Sequence, residues 1–108
     1  MLDKTTEINL LYDFYSLLLT EKQRSLLELY YHENWSLSEI AENQGVSRQA
    51  INEAIKRSQV TLYKFEEKLN LMKKHLERKE ITTNLLIQLP PEAKSIAGPL
   101  LKKLIDLD

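Results

Sequence analysis

Apolar side chains recur along this chain at three- and four-residue steps, the spacing of one face of an α-helix. Residues 5–19, TTEINLLYDFYSLLL, predict a first helix with two such stripes. Ile8, Leu11, Tyr15 and Leu18 form one, and Leu10, Phe14 and Leu17 form the other. Two stripes call for burial on two sides, so something beyond the domain's own core is expected to cover this helix. Thr20, with Gln23 three residues later, spells a capping box for a second helix. Leu26, Leu27, Tyr30 and Tyr31 supply its apolar face, and it should end near Glu33. Ser36 and Glu39 repeat the box for a third helix over residues 37–44, which Gly45 ends.

Ser47 then caps a fourth helix, and no Gly or Pro follows Gly45 until Pro90. Ile51, Ile55, Ser58, Leu62, Phe65, Leu69, Met72 and Leu76 fall at alternating steps of four and three, a heptad seam. That pattern predicts one helix from Arg48 to about Lys79, roughly 48 Å long at about 1.5 Å per residue. Three short helices cannot cover such a length. The far half of the seam should meet the C-terminal segment, a second copy of the chain, or another protein. In that segment Leu85, Leu86, Ile87 and Leu89 precede the breaking pair Pro90-Pro91. A short helical turn should follow, capped by Gly98, with Pro99 opening a last helix. Leu100, Leu101, Leu104 and Ile105 form its apolar face, opposite Lys102 and Lys103. The predicted fold is all-α: a helix-turn-helix domain over residues 1–79 with a long fourth helix. A C-terminal helical extension, 80–108, should pack on that helix or on a partner.

The stretch LSEIAENQGVSRQAI, residues 37–51, carries the most specific pattern. Ala41 sits where two helices cross and only a small side chain lets them approach. Gly45 makes the turn four residues later, and Val46 is expected to plug the core behind it. Ile51 faces inward from the second helix, ten residues after Ala41. Gln44 departs from the pattern, which often has an apolar residue there. The complete helix-turn-helix motif occupies residues 37–57. Facing away from Ile51, Ala54 and Ile55 are Arg48, Gln49, Asn52, Glu53, Lys56 and Arg57. Arg can bond bidentately to guanine, and Gln or Asn to adenine. Ser47 and the first amides of the helix suit a phosphate, and Lys56 and Arg57 suit the nucleic-acid backbone. Glu53 works against this, because phosphates repel a carboxylate that does not read cytosine.

Composition alters the picture at one point, the charge. The 108 residues carry a formal charge of −1, a poor match for a polyanion. That near-neutrality hides an uneven distribution: residues 1–46 sum to −5, residues 47–79 to +5, and residues 80–108 to −1. The positive segment begins at the second helix of the motif. The chain has no cysteine, which excludes disulfides, zinc fingers and thiol chemistry and fits a reducing cytoplasm. No apolar run reaches the length of a bilayer span or a secretory core, so neither a membrane nor export is expected.

Other constellations carry little. Glu28 and His32 lie one turn apart but lack the further ligands a metal needs. His75-Leu76-Glu77 resembles a deaminase fragment without the cysteines of that chemistry. No Gly-rich phosphate loop or nucleophile context appears, so neither an enzyme nor a cofactor is expected. Tyr12, Tyr15, Tyr30 and Tyr31 stand at core spacing and should pack rather than stack on bases, and Trp35 should plug the junction between the second and third helices. Asn34-Trp35-Ser36 has the form of a glycosylation acceptor, but Ser36 is better explained as a helix cap.

The run from Leu19 to Leu69 resembles region 4 of bacterial sigma factors, the part that reads the promoter, and covers about half the chain. More of the chain is similar to the YlxM family of small bacterial helix-turn-helix proteins. SLSEIAENQGVSRQAI, KFEEKLNLMKKH and YDFYSLLLTEKQ carry that likeness. Genes of this family commonly neighbour the gene for the signal recognition particle GTPase, which implies a regulatory role in that targeting pathway. The resemblance places the recognition positions at Ser47, Arg48, Gln49, Asn52 and Lys56. No counterpart of the polymerase-binding second sigma region is present, so a complete sigma factor is not expected. The expectation is a cytoplasmic, homodimeric regulator of duplex DNA, read by Arg48, Gln49 and Asn52 and held by Ser47, Lys56 and Arg57. A non-enzymatic module docking on the particle's GTPase or RNA is the competing expectation.

Overall fold

The computed structural model describes residues 2–107, and among them every regular element is a helix. Helix α1 spans Lys4–Tyr15, α2 Glu21–Leu27, α3 Leu37–Gln44, α4 Arg48–Leu69, α5 Leu71–Gln88 and α6 Pro91–Asp106. Two compact units result, Met1–Leu69 and Asn70–Asp108.

In the first unit α1, α2 and α3 each pack against α4. Ile8, Leu11, Tyr15, Leu26, Leu27, Ile40, Ile51, Ile55 and Leu62 are buried between them. The helix starts follow the caps expected from sequence. Thr20 and Ser36 each accept from the backbone N–H three residues on, and Gln23 and Glu39 reach back to the cap N–H in return. The start of α1 differs: Asp3, one turn before the first periodic apolar residues, accepts from Thr6 N–H at 2.8 Å. Its end differs too. The chain tightens into a 3₁₀ turn over Ser16–Leu18, which rotates Leu18 outward to 56% exposed and brings Leu19 into the core instead. Of the second stripe, Leu10 and Phe14 are half-buried and Leu17 is 85% exposed.

Two buried tyrosines inside the unit have polar partners on neighbouring helices. Tyr15 donates to Glu66 at 2.6 Å and its ring stands 5.9 Å from Phe65, tying α1 to α4. Tyr12 donates to Glu28 and meets His32 edge to face at 5.0 Å. Burial, and then the Glu28 carboxylate, push the Tyr12 phenol up to about 12. Ser58 fills its slot in the seam without penalty, because its hydroxyl donates to the Ala54 carbonyl at 3.0 Å.

The fourth helix ends earlier than its apolar pattern predicts. It stops at Leu69, and Asn70 adopts φ 55°, a left-handed conformation that Asn tolerates better than most residues. Lys74 N–H bonds to the Asn70 carbonyl at 3.0 Å and begins α5 afresh. Absence of Gly and Pro is therefore not enough to carry a helix through, and the heptad seam is split between two elements. In the second unit α5 and α6 pack on one another. Pro91 opens α6 as its first residue, as expected of a proline. Gly98 and Pro99, expected to separate two helices, lie within α6. Pro99 removes a single N–H, the one that would have bonded to the carbonyl of Ser95, an exposed residue four positions back. No helix among the described residues is long and apolar enough to cross a membrane.

Candidate nucleic-acid interface

The turn between α3 and α4 is built by three backbone devices. Gly45 sits at φ 68°, where a side chain would be strained, and Val46 N–H returns to the Ala41 carbonyl at 3.1 Å. Ser47 then takes the Ala50 N–H on its hydroxyl oxygen at 3.0 Å and starts α4. Ala41 is buried at the crossing and Ile51 on the facing side, as the motif requires. Val46 is not a core plug. It is 47% exposed, because the left-handed turn at Gly45 swings the next side chain outward. Gln44 is exposed as well, which explains how a polar residue fits there.

Ile51, Ile55, Ser58 and Leu62 define the buried side of α4. At about 100° per residue Glu53 lies almost opposite them, with Gln49 and Arg57 about 40° to either side. The structure brings four of the six sequence-predicted residues together. Arg48, Gln49 and Asn52 line a shallow cleft of about 460 Å³ against Leu37 of α3. Asn52 and Lys56 line a second, of about 260 Å³, with Lys4, Tyr30, Tyr31 and Gln59. Arg57 is elsewhere: it borders a cleft of about 140 Å³ on the α2 side, with Lys22 and Gln23. Ser47 remains exposed at the turn, its oxygen committed to the helix cap and its hydroxyl hydrogen available to donate. Arg48, Gln49, Lys56 and Arg57 are exposed and Asn52 is half-buried.

Three of the aromatic residues expected to pack are less enclosed than the others. Tyr12 and Tyr15 are buried, but Tyr30, Tyr31 and Trp35 are only half-buried. The cause is local. The last turn of α2 loosens into a π-helical turn over Glu28–His32, and Asn34 reverses the chain at φ 57°. Helical spacing therefore no longer points these rings inward. They line a further open cleft of about 310 Å³ with Thr5 and Asn34. Gln59 donates to the Tyr31 hydroxyl. Burial raises the Tyr31 pKa, so the phenol stays neutral at physiological pH. Lys4 and Thr5 were not legible from spacing as neighbours of the motif, unlike Gln59, which lies on α4 one turn beyond Lys56. Only the packing of α1 on α4 brings those two there.

Glu28 and His32, a turn apart, both contact Tyr12. No group of three or more His, Cys, Asp or Glu suited to a metal occurs among the described residues.

The family model described as "Putative helix-turn-helix protein, YlxM / p13 like" matches residues 2–97. A relative from Bacillus licheniformis is 50% identical over 103 residues, covering 94% of this chain and 96% of its own. The YlxM protein of Bacillus subtilis is 54% identical over 84 residues, 78% of this chain and 76% of its own. One from Listeria monocytogenes is 49% identical over 89 residues, 82% of this chain and 81% of its own. The description is that of a helix-turn-helix family. With a match this long, and a capped helix, a left-handed glycine and a capped second helix where the motif requires them, the chain belongs to the UPF0122 family of YlxM-like helix-turn-helix proteins.

Proposed function

We infer that this protein is a cytoplasmic DNA-binding regulator that lays α4 in the major groove. The observation that carries this reading is the clustering of Arg48, Gln49, Asn52 and Lys56 along one side of the second motif helix, at the start of the +5 segment. Arg48, Gln49 and Asn52 read base edges there, and Ser47, Lys56 and Arg57 contact phosphates on either flank. Two copies of the chain present two such helices to the duplex. The family's gene neighbourhood supports the signal recognition particle pathway as the regulated system.

Selection from a random duplex library, sequenced after enrichment, tests this directly. The native protein should recover a recurrent motif, and Arg48→Ala combined with Asn52→Ala should lose it. No enrichment by the native protein would sink the reading. Lys56→Ala and Arg57→Ala should each flatten the dependence of log affinity on log salt by about 0.9. Because these two cations stand on different sides of α4, an effect confined to Lys56 would place the duplex on the α1 side.

A second reading draws on Glu53, which occupies the middle of the outward face of α4, where a phosphate backbone disfavours it. In it the same surface docks on the signal recognition particle's GTPase or RNA. Co-purification of either at low salt, without duplex enrichment, is its expected signature.

A further inference from the structure

The cleft holding Trp35 shares Thr5, Tyr30 and Tyr31 with the cleft beside Lys56. That one shares Asn52 with the cleft under Arg48 and Gln49. Through these shared residues the three clefts adjoin one another, from Arg48 at the start of α4 to Trp35 beyond α2, and together are called the groove. Its chemistry differs from its surroundings. Residues 1–46 carry a net charge of −5, yet no carboxylate lines the groove among the described residues. Its charged side chains are Lys4, Arg48 and Lys56. The acidic residue next to Lys4, Asp3, is turned back onto Thr6 by two hydrogen bonds, at 2.8 and 3.0 Å.

Its aromatic rings are arranged for use. Tyr30 and Tyr31 meet edge to face, centroids 5.0 Å apart and planes at 87°, so the two rings are not stacked on one another. Gln59 fixes Tyr31 from α4. An open cationic groove with aromatic platforms matches the way unstacked bases are held: rings take the bases, and cations track the backbone. A duplex keeps its bases stacked on one another and has nothing to offer these rings. An unpaired base does.

We propose that this groove holds unpaired nucleobases of a strand that continues from the duplex on α4, with bases stacked on Tyr30 and Trp35 and phosphates on Lys4 and Lys56. The proposal rests on α4 facing nucleic acid, and it adds a preference for a junction between paired and unpaired strand. DNA and RNA offer the same stacking chemistry, so both are arms of the test.

Trp35 is the single tryptophan of the chain, so its fluorescence reports this groove alone. The full chain is titrated with labelled blunt duplexes and with duplexes bearing a short pyrimidine overhang, each as DNA and as RNA. Overhangs should bind about tenfold more tightly than blunt ends, the effect of one stacked base, and should quench Trp35 saturably. Tyr30→Leu and Trp35→Leu should lose that tenfold on overhangs and leave blunt duplexes unchanged. Lys4→Gln should lower the salt slope only where an overhang is present. Equal affinity for blunt and overhanging ends, with no quenching in either the DNA or the RNA arm, overturns the proposal even if a variant fails to fold. Blunt-duplex binding without overhang preference leaves α4 as a groove reader and removes the stacking site. Overhang quenching without blunt binding does the reverse.

Discussion

In the first unit three helices close around α4, whereas the second is a pair of helices, α5 packed on α6. The apolar content of the two is similar, but its fate is not. Tyr15, Leu11, Ile40 and Leu62 are fully enclosed in residues 2–69, while no residue of 70–107 is fully buried. Ile81, Ile87, Ile96 and Leu100 stay at least 65% exposed. Amphipathic periodicity shows that a helix has a face to bury. Enclosure needs neighbours on several sides, and a pair of helices does not supply them.

This contrast should be largest in the response to truncation. Leu62→Ala, at a fully enclosed site, should cost about 2–5 kcal/mol in urea denaturation. Leu100→Ala, on the open face of α6, should stay within about 0.5 kcal/mol. Comparable losses at the two positions would show that another surface covers α6 in solution, and repeating both at several protein concentrations would reveal whether that surface is a second copy.

Smaller effects test the motif within the first unit. A Cβ added at Gly45 meets nothing within 4 Å, so Gly45→Ala carries only the penalty of its left-handed backbone, about 1–2 kcal/mol. The same substitution at Gly98, inside α6, should be neutral or slightly stabilising, since that glycine has ordinary backbone angles and open space. An equal loss at both would mean the turn is not under conformational constraint.

The smallest expected change concerns the cap of α3. The Ser36 backbone N–H, and then its hydroxyl, hold the Glu39 carboxyl below the usual carboxylate range. A lowered folded-state pKa stabilises above the unfolded value, and that contribution is lost as pH falls through the folded one. Stability measured across the acidic range should therefore show a step that Glu39→Gln removes. An unaltered acid profile in that variant would mean the capping box is frayed in solution. Ser36→Ala should separately cost about 1 kcal/mol by leaving a helix-end donor without its partner.

Much of the local architecture was legible beforehand, because capping is a short-range matter. Thr20 with Gln23, Ser36 with Glu39, Gly45 and Ser47 each act within four residues of chain, and each behaves as its type requires. Leu18 and Leu19 show where such reasoning fails: a three-residue 3₁₀ turn exchanged which of them is inside. Asn70 shows another failure, for an Asn can take a helical or a left-handed conformation and nothing adjacent in sequence declares which. Of the candidate interface, the side chains on α4 could be read from the motif, but the separation of Arg57 from Lys56 depends on where α1 and α2 flank that helix.

By itself, then, the amino-acid sequence determined the helical class, the positions of the caps and the identity of the motif, since all three follow from hydrogen bonds and side-chain periods closed within a few residues. Only the tertiary structure decided that the heptad seam would break at Asn70, that Trp35 and Tyr30 would line a groove instead of a core, and that Lys4 would stand beside Lys56. The last of these depends on α1 packing against α4, elements some fifty positions apart, a geometry set by how whole helices pack and not by any neighbour in the chain.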